Sequence, residues 1–182
     1  MNFIKTPIAG LTIIEPKIWK DNRGAFFETY NEQLFKDNGI DEKFVQDNQS
    51  ISCKGALRGL HAQAGPHAQG KLVRVIKGSV VDIAVDIRKK SPTFGQSFHI
   101  ELSESNAKMV WIPVGFLHGF VSLEEDTIFC YKVTGKYDKE NEIGVRYNDP
   151  AFNIQWPLPQ DELVLSEKDL QLPLLADINN PF

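Results

Sequence analysis

Turn formers interrupt this chain so often that only short elements fit between Leu11 and Val133. β-prone runs occupy Leu11–Ile18, Ala25–Tyr30, Phe44–Ile51, Lys71–Ile76, Val80–Ile87, Ser97–Leu102, Met109–Ile112, Phe116–Val121 and Thr127–Val133. Between them stand Lys20–Gly24, Gly78, Ser91-Pro92, Gly95, Ser103–Asn106 and Glu124–Asp126. Residues of these types reverse a chain at low cost, so each cluster predicts a turn. One short helix is predicted over Asn31–Asn38, with Leu34 and Phe35 inward and Gly39 as its stop. Many short strands at close spacing predict an all-β sandwich or barrel.

The run Val80–Arg88 alternates with a period of two. Val81, Ile83, Val85 and Ile87 share one face, and Asp82, Ala84, Asp86 and Arg88 the other. Three charged groups on one side of a strand predict solvent on that side. In a barrel the same face can instead line a cavity.

From Gly135 the text turns polar and proline-rich. Trp156-Pro157 and Pro159 cannot sit in a central strand. Ser166 is placed to cap a short helix, SEKDLQL, which puts Asp169 near a helix start. No linker, repeat or low-complexity tract divides the chain. One domain over residues 1–182 is expected, with 135–182 as irregular chain plus a short helix packed on the barrel.

A formal charge of −4 and a pI near 5.6 give no basic footprint for nucleic acid. They leave room for an anionic ligand, because a local arginine cluster overrides the average. Cys53 and Cys130 have no CxxC spacing and read as buried free thiols. Lys5, Pro7 and Gly10 break up any signal-peptide core, and no apolar run approaches a membrane span. No membrane partner and a cytoplasmic location are expected.

The segment LRGLHAQAGPHAQGKLVR, from Leu57 to Arg74, reads as strand, turn, strand. His61 and Lys71 stand ten residues apart on an apolar background. If the two arms pair, a base and a cation face one cavity. Such a pair suits removal of a proton beside a carbonyl, with histidine as base and lysine beside the enolate oxygen.

Other residues are candidates for ligand contact. Arg23, at a glycine turn followed by Glu28, is either a surface residue in an ion pair or a phosphate ligand. Arg58 is a possible second phosphate ligand. Gln46, Asp47, Asn48, Gln49 and Ser50 form either an exposed edge or a hydrogen-bonding wall for a sugar or nucleotide. Tyr131 lies in an apolar strand, as core or as a proton donor to a pocket. The four histidines, His61, His67, His99 and His118, form no HxH or HExxH pair. Pro113–His118 has the PxGxxH shape of one cupin motif, but the HxH motif is missing, so a metal site is disfavoured.

In order and spacing, the segments DNRGAFFETY, FVQDNQS, LRGLH, QGKLVRV, DIRKKSPTFG, IPVGFLHGF, YKVTGKYDKENEIGVRYNDP, IQWP and LSEKD resemble the dTDP-4-dehydrorhamnose 3,5-epimerases of deoxysugar biosynthesis. The resemblance runs from about Pro16 to Asp169. It implies a jelly-roll cupin barrel (a double-stranded β-helix with a few short helices) that works as a homodimer, without metal or cofactor. The implied reaction inverts C3 and C5 of dTDP-4-dehydro-6-deoxy-D-glucose through an enolate, giving dTDP-4-dehydro-L-rhamnose. His61 is implied as general base and Asp169 as its orienting partner. Lys71 is implied to steady the enolate, and Tyr131 to return a proton from the opposite face. Arg23, Glu28, Gln46, Asp47, Asn48, Arg58, Lys71, His118, Glu142 and Lys168 are implied as substrate contacts.

The chain departs from the family at Ala62, where an aromatic residue is usual, and at Ala64-Gly65, which replace a more proline-rich loop. Changed loop packing with intact chemistry is expected there. Three alternatives stay open at this stage: an epimerase of one carbon only, a non-catalytic sugar-nucleotide-binding jelly roll, and a metal-dependent cupin oxygenase.

Overall fold

The computed structural model describes residues 1–182. Strands β1 (Asn2–Lys5), β2 (Thr12–Glu15), β3 (Trp19–Asp21) and β4 (Gly24–Phe26) open the chain. Helix α1 (Glu32–Asp37) follows, capped by the Asn31 side chain on the Leu34 amide. Strands β5 (Gln46–Ser52), β6 (Leu57–Gln63), β7 (Lys71–Lys77), β8 (Ser79–Asp86), β9 (Ser97–Ser103), β10 (Met109–Ile112), β11 (Phe116–Ser122) and β12 (Thr127–Val133) build the barrel. Short β13 (Glu142–Gly144) and α2 (Glu167–Leu170) belong to the C-terminal segment.

The strands form two antiparallel sheets. One has the order β1-β2-β10-β7-β12-β5, the other β13-β6-β11-β8-β9. The sheets face each other across a core of Val73, Val75, Val80, Ala84, Val110, Phe116, Phe120 and Phe129, among others. The chain thus alternates between the sheets from β5 to β8 and again from β9 to β12, as in a jelly roll. β3 and β4 form a separate exposed hairpin.

Two sequence expectations change here. The arms of Leu57–Arg74 do not pair, since β6 lies in the five-stranded sheet and β7 in the six-stranded one. They oppose each other across the barrel, and this is how His61 and Lys71 come to share a cavity. The alternating faces of β8 are also reversed relative to the solvent reading. Val81, Ile83 and Val85 point away from the barrel, under a cover of Val145, Phe152, Ile154, Trp156 and Ile178 from the C-terminal segment. Asp82 and Asp86 share the inward face with Val80 and Ala84, at 1% and 0% exposure. Buried carboxylates need partners. Asp86 accepts from Arg88 Nε at 2.8 Å and Nη2 at 2.7 Å, and from the Ser91 and Thr93 hydroxyls. Asp82 finds His118.

β6 carries a bulge. His118 pairs with His61, yet Phe120, two residues on, pairs with Arg58, three residues back. The extra residue breaks the alternation, so Arg58 and His61 both face inward while Leu60 packs outside. Gly59 makes this possible. Its φ is +134°, and a Cβ there would lie 2.6 Å from the Gly119 Cα. The thiols differ from expectation as well: both are free, but Cys53 is exposed and Cys130 half-buried.

Candidate active site

Between the sheets lies a cavity of about 680 Å³, ample for a small ligand. A polar lobe lined by Gln46, Gln63, Gln69, Tyr137 and Glu142 adjoins it, sharing Asn48, His61, Lys71 and Tyr131.

His61 comes from the five-stranded sheet, and its Nε2–H donates to Asp169 Oδ1 at 2.8 Å. Asp169 is carried by α2, whose start is fixed when the Ser166 hydroxyl accepts from the Asp169 amide at 3.1 Å. The strand-like contact of Val164 with Gly55 and Leu57 ties this segment to the barrel. Burial alone would raise the Asp169 pKa, but the bond from His61 and its charge hold it below the usual carboxylate range. A carboxylate that accepts from Nε2 leaves Nδ1 with a lone pair, the form a base needs.

Lys71 enters from the other sheet, and its Nζ donates to the His61 carbonyl at 3.4 Å. Burial pushes its pKa down to about 8, against the pull of Asp82 and Glu142. Tyr131 stands on β12, also across the barrel from His61. Burial raises its phenol pKa, with Arg58 opposing, so the hydroxyl keeps its proton at neutral pH. Base and phenol therefore occupy opposing walls, with an ammonium in the same cavity.

Of the remaining sequence candidates, Asn48, Arg58, His118 and Lys168 line the main cavity, and Gln46 and Glu142 line its polar lobe. Arg58 Nε donates to Ser52 Oγ at 3.3 Å. Lys168 Nζ donates to Glu142 Oε2 at 2.7 Å. Three candidates are not brought in. Asp47 points to the outer face of its sheet and bonds Lys132 Nζ at 2.9 Å. Arg23 is exposed on the β3–β4 hairpin and pairs with Asp21 at 2.7 Å. Glu28 accepts from Asn31 Nδ2 at 3.3 Å, and neither it nor Arg23 lines the cavity.

Sequence reasoning did not single out Asp82, whose face it left between solvent and a barrel cavity, or Tyr137, whose hydroxyl donates to Glu142 at 3.1 Å. Ser50, read from the sequence as part of either an exposed edge or a hydrogen-bonding wall, lines the cavity. Its hydroxyl is the buried side-chain oxygen that finds no partner. Nothing in the spacing of Tyr137 singles it out, because its loop has no period. No three His, Cys, Asp or Glu side chains converge as a metal-ligand set, and both cavity histidines are committed to carboxylates at Nε2. No helix is long and apolar enough to cross a membrane.

Known proteins share both the sequence and the fold. The family model described as dTDP-4-dehydrorhamnose 3,5-epimerase matches residues 5–177. The dTDP-4-dehydrorhamnose 3,5-epimerase of Salmonella typhimurium is 52% identical over 176 residues, 96% of each chain. The crystal structure of dTDP-6-deoxy-D-glucose-3,5-epimerase from Legionella pneumophila, in complex with dTDP-4-keto-L-rhamnose, superposes with a TM-score of 0.94 at 48% identity. It covers 98% of this chain and 94% of its own. ChmJ, a 3'-monoepimerase from Streptomyces bikiniensis in complex with dTDP-quinovose, has a TM-score of 0.89 at 32% identity, over 95% and 87% of the two chains. Likeness of that extent, over a barrel whose opposed walls carry a base and a phenol, makes this chain an isomerase of the dTDP-4-dehydrorhamnose 3,5-epimerase family.

Proposed function

We propose that the protein converts dTDP-4-dehydro-6-deoxy-D-glucose to dTDP-4-dehydro-L-rhamnose by inverting C3 and C5. The observation that carries this reading is the opposition of His61, held by Asp169, to Tyr131, with Lys71 beside both. C3 and C5 each flank the C4 ketone, so loss of a proton from either gives an enolate stabilised by that oxygen. His61 Nδ1 takes the proton. The Lys71 ammonium steadies the oxygen as it gains negative charge. Tyr131 gives a proton to the same carbon from the other face, which inverts it. Solvent then removes the proton from the imidazolium and returns one to the phenolate, and the cycle repeats at the second carbon. Arg58 meets the diphosphate, while Gln46, Asn48, His118, Glu142 and Lys168 supply hydrogen bonds to the sugar and base.

The test is turnover of dTDP-4-dehydro-6-deoxy-D-glucose in deuterium oxide, followed by NMR and mass spectrometry. Inversion with one deuteron at C3 and one at C5 is expected. His61→Ala should lower the rate by about 10²-fold or more. Binding without any exchange would sink the reading. Inversion of a single carbon is the second reading, favoured by the shared fold of the 3'-monoepimerase. The higher identity to the 3,5-epimerases, 52% and 48% against 32%, weighs for two carbons.

The 182 residues act as one domain in this reading, and the working form is a homodimer. The β3–β4 hairpin exposes Trp19 and Phe26, the latter at 69%, and lies outside its own cavity. It suits insertion against a second copy, bringing Arg23 and Glu28 to that copy's site. A light-scattering mass near 20.6 kDa would refute the dimer. Two free thiols, one of them exposed, fit the reducing cytoplasm.

A further inference from the structure

Asp82 is a buried carboxylate that the proton transfers described above do not use. It lies on the inward face of β8, 1% exposed, and accepts from His118 Nε2 at 2.7 Å. His118 is also buried, stacked at 22° on Phe129, and it lines the cavity. Its strand neighbour across the sheet is His61. With Nε2 committed to Asp82, only Nδ1 remains for a ligand.

Resting on the epimerase reading, we infer that Asp82 is a positioning residue: its carboxylate locks His118 as the Nε2–H tautomer, so that Nδ1 offers a lone pair to a hydroxyl of the bound sugar beside Lys71. A carboxylate accepts and does not donate, so the bonded nitrogen carries the hydrogen. Burial lowers the His118 pKa, Lys71 and His61 lower it further, and Asp82 opposes them, so the ring is neutral at pH 7. A neutral ring with Nε2–H has an acceptor at Nδ1. An acceptor holds the sugar hydroxyl without adding a second acid beside the Lys71 ammonium.

Asp82 acts on Lys71 as well. The groups facing the cavity with Lys71 are Asp82 from β8, Glu142 from β13, Arg58 and His61 from β6, His118 from β11, Tyr131 from β12, and Asp169 and Lys168 from α2. Asp82 is the stronger of the two carboxylates that favour the charged ammonium. Removing its charge therefore makes Lys71 lose its proton at lower pH.

The test has two arms. In histidine-¹⁵N-labelled wild-type protein, two-bond ¹H–¹⁵N correlations are expected to give His118 a protonated Nε2 and an unprotonated Nδ1 at pH 7. An Nδ1–H ring or an imidazolium would overturn the inference, whether or not the protein turns over the sugar. Kinetics form the second arm. Asp82→Asn presents an amide that can donate to Nε2 and flip the tautomer. It should lower kcat by about 10- to 100-fold with a smaller change in KM, and move the alkaline limb of kcat/KM to lower pH. Asp82→Glu should recover part of both. An unmoved alkaline limb in active Asp82→Asn would also overturn it. If Asp82→Asn does not fold, the wild-type spectrum decides. Failure of wild-type protein to exchange deuterium would refute the epimerase reading and leave the tautomer result standing on its own.

Discussion

Lys71→Met should make the protein more stable while removing its activity. The fall in the Lys71 pKa from 10.5 to about 8 means that holding the ammonium in the cavity costs about 3 kcal/mol at pH 7, at 1.36 kcal/mol per pH unit. The sign follows from proton counts. The unfolded lysine keeps its proton until about pH 10.4, whereas the folded one releases it near 8. Between these values the unfolded chain binds more protons, so stability rises with pH; below 8 the whole cost is present. Methionine carries no charge and fills a similar volume. Asp82 and Glu142 keep His118 and Lys168 as partners in the variant, but their mutual repulsion trims the gain. A stabilisation of about 1–3 kcal/mol at pH 7 follows, or about 2–4 °C in Tm for each kcal/mol. Urea unfolding of both proteins at pH 7 and 9.5 measures it, and the advantage of Lys71→Met should shrink at the higher pH. Deuterium exchange into the substrate should fall by about 10²-fold or more. A variant less stable than wild type at pH 7, or a difference independent of pH, would refute the desolvation reasoning.

Three other substitutions probe the frame. Burial would raise the Asp86 pKa, but its bonds from Arg88, Ser91 and Thr93 hold it at about 2. Its contribution of about 2–3 kcal/mol is complete above the unfolded value of about 3.9 and lost as pH falls through about 2. Asp86→Asn should therefore cost about 2–3 kcal/mol at pH 7 in urea titrations, a cost that shrinks as pH falls from 4 to 2. Gly59→Ala should destabilise by about 3 kcal/mol or more, or prevent folding, because the new Cβ meets Gly119 at 2.6 Å with φ at +134°; circular dichroism melts check it. Ser166→Ala removes the cap that fixes Asp169. It should lower kcat with a global stability loss of about 1 kcal/mol or less, read by kinetics alongside a melt.

Strands governed by local preference were legible. Met109–Ile112 and Thr127–Val133 have the same bounds in sequence and structure. What local preference cannot carry is pairing. The turn at Gly65, Pro66 and Gly70 predicted a hairpin, but the strands it joins belong to different sheets. Hydrophobic alternation on β8 identified two faces and could not say which was covered by the barrel and which by residues 145–178. The Asp82 face stays undecided in the sequence for that reason, since its partner His118 is 36 residues away. The bulge at Gly59 is a second case. Under strict alternation Arg58 and His61 would face opposite ways, and only the pairing with β11 turns both inward. His61, Lys71, Tyr131 and Asp169 were named through the family resemblance, which records what pairing does without deriving it.

The departure at Ala62 is also a matter of faces. In β6 beyond the bulge, His61 points into the barrel and Ala62 away from it. Ala62 is 5% exposed, packs with Leu60 and Ile83, and stands opposite Ile143 in the register of β13. A change of side chain there alters the seam between the five-stranded sheet and the C-terminal segment. It reaches the main cavity, which Ala62 does not line, only by moving β6 or the strap that carries Asp169. Both are pinned by main-chain bonds: Leu60 to Val145 in both directions, Ala64 to Asn141 at 2.9 Å, and Leu57 to Val164 at 2.9 Å. A backbone held on both sides of position 62 absorbs a smaller side chain as local repacking. The His61–Asp169 contact at 2.8 Å therefore does not depend on an aromatic residue next to the base.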